Sequence, residues 1–421
     1  MKTISFAKSL TAVAVSTFLI PSLVWSQQAA DGGSLKEVQV INTSPLPGIG
    51  IEKNKLPYEV QSVDSKTLKN SSTLNITEFM NENLNGVNVN DIQGSPYQAD
   101  VTYRGSRASA TLGAAQGLSV YMDGVRVNEP FGDVVNWDML PEAAFENVTL
   151  VPGSNPIYGL NTLGGALAFT TKSGLTSQGN EVGLSMGSFG RLKLDLTHGG
   201  KSNDGWHRFL AASAFDEKGW RDYSPGNLQN LFVKVGRTQE DTNWDVSFLS
   251  GKSKLKGNGL LPSTNYGDIG SPSNSTADGL YELQRNAIYS HVDITENTTN
   301  LLTFNVQHML DADTELASTA YIRSGQQSRL SGEVVWCATD SEEESCVNKY
   351  SGSLGHLNAE GILGVFNGSN TTQTSGGVSL NLTKLWKDHQ ITMGAALDGN
   401  ASKYGATQAE NCDVDATRGV S

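Results

Sequence analysis

From residue 180 onward the chain alternates apolar and polar residues, and this period of two restricts the available folds more than any other feature. Leu192, Leu194 and Leu196 interleave with Lys193, Asp195 and Thr197, and Trp244, Val246 and Phe248 with Asp245 and Ser247. Leu302, Phe304 and Val306 alternate with Thr303, Asn305 and Gln307, and Val378 to Leu382 and Ile391 to Ala395 repeat the pattern. Successive side chains of a strand point to opposite faces, so each segment reads as a strand with one apolar and one polar face. Segments of about 10 residues with that contrast fit a transmembrane β-strand, with lipid outside and water or protein inside. A soluble β-sandwich alternates in the same way, so the strands alone do not decide between the two.

The connections discriminate better. Roughly nine strands can be read after Gln178, joined by turns of two kinds. Short turns fall at Gly200 to Gly205, Gln239 to Asn243, Asp311 to Thr314 and Lys387 to His389. Opposite them lie a mid-length loop, Lys218 to Asn227, and two long ones, Leu255 to Thr299 and Gly325 to Thr372. Only the first hairpin, at Gly187 to Gly190, is short on both sides. One rim of short turns and one of long loops is the plan of an outer-membrane barrel, and a sandwich has no reason for it.

Residues 1–26 read as a secretory signal peptide: Lys2 and Lys8 charge its start, Leu10 to Val24 is apolar, and Val24-x-Ser26 offers a cleavage site. No other window is apolar enough to span a membrane as a helix, which leaves a barrel open. A net charge of -13 argues against nucleic-acid binding, which wants a basic face. Export permits disulfides, and Cys337 and Cys346 lie close enough in sequence to pin one loop. That loop also holds Asp340, Glu342, Glu343 and Glu344, without the spacing of a metal site. Cys412 is left over, and its partner is expected in sequence not present here. The six histidines are scattered, and no P-loop, nucleophile elbow or Ser/His/Asp set is found. No metal, cofactor or enzymatic chemistry is expected.

The N-terminal third has a different texture. Residues 27–50 are polar and punctuated by Gly and Pro, a mobile segment in which Glu37, Val38, Gln39, Val40 and Ile41 alternate like a short strand. Tyr58, Val60 and Val63 suggest a strand that Asp64 or Ser65 closes by capping a helix. Asn75 precedes a second helix, with Ile76, Phe79, Met80 and Leu84 at helical spacing and Gly86 to end it. Val87 and Val89 begin a strand, Ala99 to Tyr103 forms another before Arg104-Gly105, and Leu118 to Val127 is a hairpin around Asp123-Gly124. The stretch ENVTLVPGSNPIYGLNTLGGALAFTTK, Glu146 to Lys172, then runs strand, Pro/Gly turn, Tyr158-Gly159, Gly164-Gly165 and strand.

That stretch resembles the end of the plug domain in TonB-dependent outer-membrane receptors, where a strand, a proline/glycine turn, "YG", "GG" and a strand ending in Thr-Lys precede the barrel. Arg104-Gly105 and Asp123-Gly124 are similar to the family's "RG" and "DG" elements, and Glu37 to Ile41 resembles its TonB box. Two positions depart: Thr149 and Pro152 stand where the family often has Glu and Arg, and the turn is one residue short between Gly153 and Tyr158. The resemblance implies a mainly β protein, with an α+β plug inside a large antiparallel transmembrane barrel of about 22 strands, of which about nine are present here. The expected domains are a signal peptide (1–26), a mobile segment with the TonB box (27–50), the plug (51–175) and the N-terminal part of the barrel (176–421).

The same resemblance implies active import of a scarce nutrient across the outer membrane of a Gram-negative bacterium; a ferric siderophore or similar large ligand is the family's usual cargo, and the sequence does not choose between it and cobalamin, a carbohydrate or a metal complex. The TonB box would pair with the periplasmic TonB transducer by adding a strand to its sheet. The other partners would be membrane lipid and the extracellular ligand, with the receptor a monomer. Arg104, Asp123 and Arg126 are expected in a polar network between plug and barrel. Phe131, Asp133 and Trp137, in the loop Asn128 to Trp137, are expected at the ligand-facing apices beside the loop Ala108 to Gly117. A passive porin or surface adhesin is the competing reading, and neither has a use for so long a domain of mixed structure ahead of its barrel. An unclosed barrel leaves unpaired backbone in lipid, so the sequence is expected to be an N-terminal fragment of a longer receptor.

Overall fold

The protein is described by a computed structural model, covering residues 40–41, 51–52, 56, 58–71, 73–91, 95–153, 158–159, 161–257, 292–336, 362–387 and 389–412. The signal peptide, Glu37 to Gln39, Cys337, Cys346 and the acidic cluster between them lie outside these residues.

The N-terminal part runs β1 (Val40–Ile41), β2 (Ile51–Glu52), β3 (Gln61–Asp64), α1 (Ser65–Asn70), α2 (Ile76–Asn83), β4 (Val87–Asp91), β5 (Ala99–Tyr103), β6 (Ser106–Ser109), β7 (Leu118–Met122), β8 (Val125–Arg126), β9 (Phe145–Pro152) and β10 (Gly165–Thr171). Both helices start where their caps stand. Asp64 accepts the Thr67 amide at 2.9 Å and Asn75 accepts that of Glu78 at 2.9 Å, each satisfying a donor the helix cannot. Ile76, Phe79 and Met80 put the apolar face of α2 into the core. Val40–Ile41 pairs antiparallel with Ile51–Glu52.

The main sheet of this domain has the order β3-β9-β10-β7-β8, with β10 parallel to β7 and the other pairs antiparallel. A second sheet, β4-β5-β6, is antiparallel. Its β5–β6 hairpin and the β7–β8 hairpin close in the same way, with Arg104 (φ 49) and Gly105 (φ 80), or Asp123 (φ 47) and Gly124 (φ 86), in the left-handed region that two-residue turns demand.

The rest of the described chain is a nine-stranded antiparallel sheet in sequential order: β11 (Gly179–Met186), β12 (Leu192–Lys201), β13 (Trp206–Glu217), β14 (Gly226–Thr238), β15 (Thr242–Gly257), β16 (Asp293–Asp311), β17 (Thr314–Trp336), β18 (Ile362–Trp386) and β19 (His389–Cys412). One face of every strand from β12 to β18 turns toward the N-terminal domain. Phe209, Phe232, Leu249 and Leu301 reach across from the sheet and join the core built by Phe79, Leu118, Phe145, Leu167 and Phe169. The opposite face carries Leu210, Leu231, Val246, Phe248, Leu302, Phe304, Ile322 and Leu380, all exposed. Trp206, Trp244 and Trp386 sit on that outer face beside the short turns, as the interfacial aromatics of a barrel do.

The long connections are shorter than expected and the strands longer. β15 continues to Gly257, β17 spans 23 residues and β18 spans 25. At about 3.3 Å per residue such strands run well past the 9–11 residues or so that cross a bilayer. The apolar outer band covers only their lower part. Above it the outward positions are polar: Ser324, Gln326 and Ser328 on β17, and Thr374, Thr372 and Asn370 on β18. With polar residues on both faces the alternation disappears, and these segments look like loops.

Candidate functional site

The seam between the N-terminal domain and the sheet is polar and closely bonded. Asp123, at the tip of the β7–β8 turn, is buried. Its carboxylate accepts the Thr171 amide at 2.8 Å, the Thr171 hydroxyl at 2.5 Å and the Lys234 ammonium of β14 at 2.9 Å. One side chain thus joins the turn, the end of the last strand of the domain and the wall. Arg126 pairs within its own domain, to Asp133 at 2.6 Å. Arg104 stays out of this network: it is exposed at its turn, with the guanidinium 5.1 Å from the Tyr103 ring. Thr149, where an acid might have stood, meets the Ser62 hydroxyl at 3.2 Å.

The loop 128–137 is fastened at several points. Arg323 of β17 donates to the carbonyls of Val127 and Asn128, both at 3.0 Å, and lies 3.7 Å from the Glu129 carboxylate. Glu129 also accepts from Gln373 of β18 at 2.6 Å and from Asn136 at 3.1 Å. Gln327 bridges Asn136 at 3.1 Å and Asn297 at 2.9 Å. Asn297 and Ser253 both donate to Asp138, and Asn230 of β14 donates to the Asp138 carbonyl at 3.2 Å. A belt of amides, hydroxyls and one guanidinium therefore ties this loop and the adjoining Asp138 to five consecutive strands. Burial pushes the Asp138 carboxyl above the usual range, against the two donors that favour its charge. Burial also raises Glu142, opposed by Lys193 of β12 at 2.8 Å.

The three residues expected at the apex divide. Phe131 lies at the rim of the domain, its ring stacked on Tyr404 of β19 at 4.9 Å and its amide donating to Gln373 at 3.3 Å. Asp133 is half-buried between Arg126 and Asn161. Trp137 is instead 2 % exposed and packed in the core, with its indole donating to the Ala108 carbonyl at 3.3 Å. Its area is worth more inside the domain than at a wet surface. The loop Ala108 to Gly117 lies against the apex, with Val135 donating to the Ser109 carbonyl at 2.8 Å.

Beside the Phe131–Tyr404 stack, the lumenal face of β17, β18 and β19 carries an open pocket of about 390 Å³ lined by Arg329, Asn367, Ser369, Tyr404 and Gln408. A guanidinium, an aromatic ring and several amides and hydroxyls give it donors for oxygen-rich ligands. No cluster of metal-ligating side chains occurs among the described residues. Reading by sequence missed Lys234, Arg323, Gln373, Glu129 and Asp138. The available signal was strand parity: Lys234 is the one charge among the inward positions of β14, and Arg323 is inward on β17, where a charge needs a partner.

Residues 52–166 match the family described as TonB-dependent Receptor Plug Domain. A search of curated proteins finds no match. Solved structures share the fold at low identity. The ferric-catecholate import receptor Fiu from E. coli K12, in its open form, is 16% identical with a TM-score of 0.65, covering 86% of this chain and 51% of that one. BauA, the ferric preacinetobactin receptor from Acinetobacter baumannii, is 12% identical with a TM-score of 0.63, covering 88% and 51%. The ferripyoverdine receptor of the outer membrane of Pseudomonas aeruginosa is 13% identical with a TM-score of 0.63, covering 89% and 46%. The chain spans about half the length of the receptors it matches.

Proposed function

We propose, for a chain that matches the TonB-dependent receptor plug domain over residues 52–166 and shares the fold of the receptors named above, energised import across the outer membrane of a Gram-negative bacterium. The observation that carries this reading is the plug itself, set against the inner face of the barrel wall and bonded to it by Asp123–Lys234 and by the belt around Glu129, Asn136 and Asp138. A passive pore has no use for a domain so fastened.

In this reading the ligand enters the cavity beside Phe131 and Tyr404 and meets Arg329 and the surrounding amides. The relatives named above are receptors of ferric chelates, and a further structural relative is the copper transporter OprC. A ferric siderophore or a similar large oxygen-rich chelate is the ligand we propose. Occupancy disturbs the apical loop, and Glu37 to Ile41, the TonB box, is drawn by the periplasmic TonB protein so that the plug is remodelled and a path opens. Force is supplied from outside the chain, so the receptor needs no nucleotide of its own.

Deletion of Glu37 to Ile41 tests the reading in cells that depend on the receptor for iron. Uptake of radiolabelled ferric chelate should cease while surface binding of the same chelate persists. Uptake that continues in the deletion strain would sink the energised mechanism.

A further inference from the structure

Lys234 faces two carboxylates on different bodies. Asp123 belongs to the plug and accepts a hydrogen bond from the ammonium at 2.9 Å, both side chains being 6 % exposed. Asp245 belongs to the wall. In the β14–β15 ladder Lys234 stands opposite Ser247 and Gly236 opposite Asp245, so Lys234 and Asp245 are diagonal neighbours on the same inner face. Diagonal neighbours lie within reach of a lysine. Both acids attract the ammonium, and they repel each other. Asp245 also accepts from the Asn305 amide, at 3.4 Å. Around them stand the Phe232 ring, 5.9 Å from the ammonium, and His207, opposite Gly236 on β13.

With the plug seated, one cation serves two anions. With the plug displaced, one cation and one anion remain on the wall. A barrel whose only acid near Lys234 left with the plug would strand a cation in a neutral, partly apolar patch, and that cost would resist opening. Here the wall supplies the replacement. We propose that Lys234 is a positioning residue that pins the plug through Asp123 and passes to Asp245 when the plug leaves, so that Asp245 weakens the pin and eases release. This rests on the reading that the plug moves during import. It adds which residues set the resistance and in which sense each acts.

The test needs neither ligand nor TonB, so its failure is distinct from failure of the import reading. Single molecules of the full receptor in a lipid bilayer are held at constant force by an N-terminal tag, and the lifetime of the seated plug is recorded. Asp123→Asn should shorten that lifetime several-fold. Asp245→Asn, which removes the competitor, should lengthen it several-fold, and in the Asp123→Asn background it should change nothing. Lys234→Gln, kept in case an acid variant folds poorly, should shorten the lifetime and erase the opposite effects of the two acids. An Asp245→Asn plug that is released as readily as the parent, or more readily, overturns the proposal, because an acid that merely lines the wall predicts that result.

Discussion

Arg323 aims its guanidinium at three successive carbonyls, those of Arg126, Val127 and Asn128, and at the Glu129 carboxylate. Replacing it by Met takes this donor from the three carbonyls and the cation from a buried carboxylate, a loss of roughly 3–5 kcal/mol when one partner of a buried pair is removed. Amide exchange across 127–137 should quicken accordingly, while the core strand β7 keeps its protection. Asp138 is expected to act in the opposite sense. Its carboxyl is raised by burial, so above the ordinary value of 3.8 the unfolded chain gives up a proton that the folded chain retains. Stability therefore falls as pH rises from that value toward the folded-state one. Asp138→Asn removes this term: its melting temperature should gain on the parent as pH rises through that window and match it more closely in acid. Such roles are hard to read from sequence because an inward Arg, Lys or Asp looks the same whether it meets water or a partner. Trp137 shows the same limit, since an aromatic in a Gly/Pro-rich loop serves a ligand or a core equally well.

Among the elements, those set by local chemistry were legible. The caps at Asp64 and Asn75, the Asp123-Gly124 turn and the Gly164-Gly165 pair stand where short-range rules put them. Gly165 shows why. Its φ is 146, and a Cβ there would lie 2.4 Å from the Val151 carbonyl oxygen, so the β9–β10 hairpin admits no side chain at that point. Gly165→Ala should cost about 1–3 kcal/mol by overpacking, seen as lower protease resistance of the plug with the barrel intact. The nine strands and their short turns could also be counted in advance, because parity and turn residues are local. Their lengths could not. Stretches such as Ser324 to Ser328 and Asn370 to Gly376 are wet on the outer face and polar on the inner, so no contrast marks them as strand. Only pairing with neighbours does, and pairing is not written in one strand alone.

For the whole molecule, the outer face divides into an apolar band and a polar wall above it, and the division is testable. Leu302→Arg places a charge within the band, at a cost of about 2–4 kcal/mol near the bilayer midplane, and should lower the fraction that migrates as folded barrel in unheated gels. Gln326→Arg, above the band on β17, should leave that fraction unchanged. The plug sheet has its own asymmetry. β3 has one neighbour and four register pairs, whereas β9, β10 and β7 are each flanked on both sides, and the β10 end is pinned to Lys234 through Asp123. The chain upstream of β3 is also where a pull on the N-terminus arrives. A tug from the periplasm would therefore first strip β3 from β9, before it loads the strands flanked on both sides, rather than shear all the ladders together. The work of opening is then divided into small instalments, and the far strands keep the fold's template in place for the peeled segment to reseat.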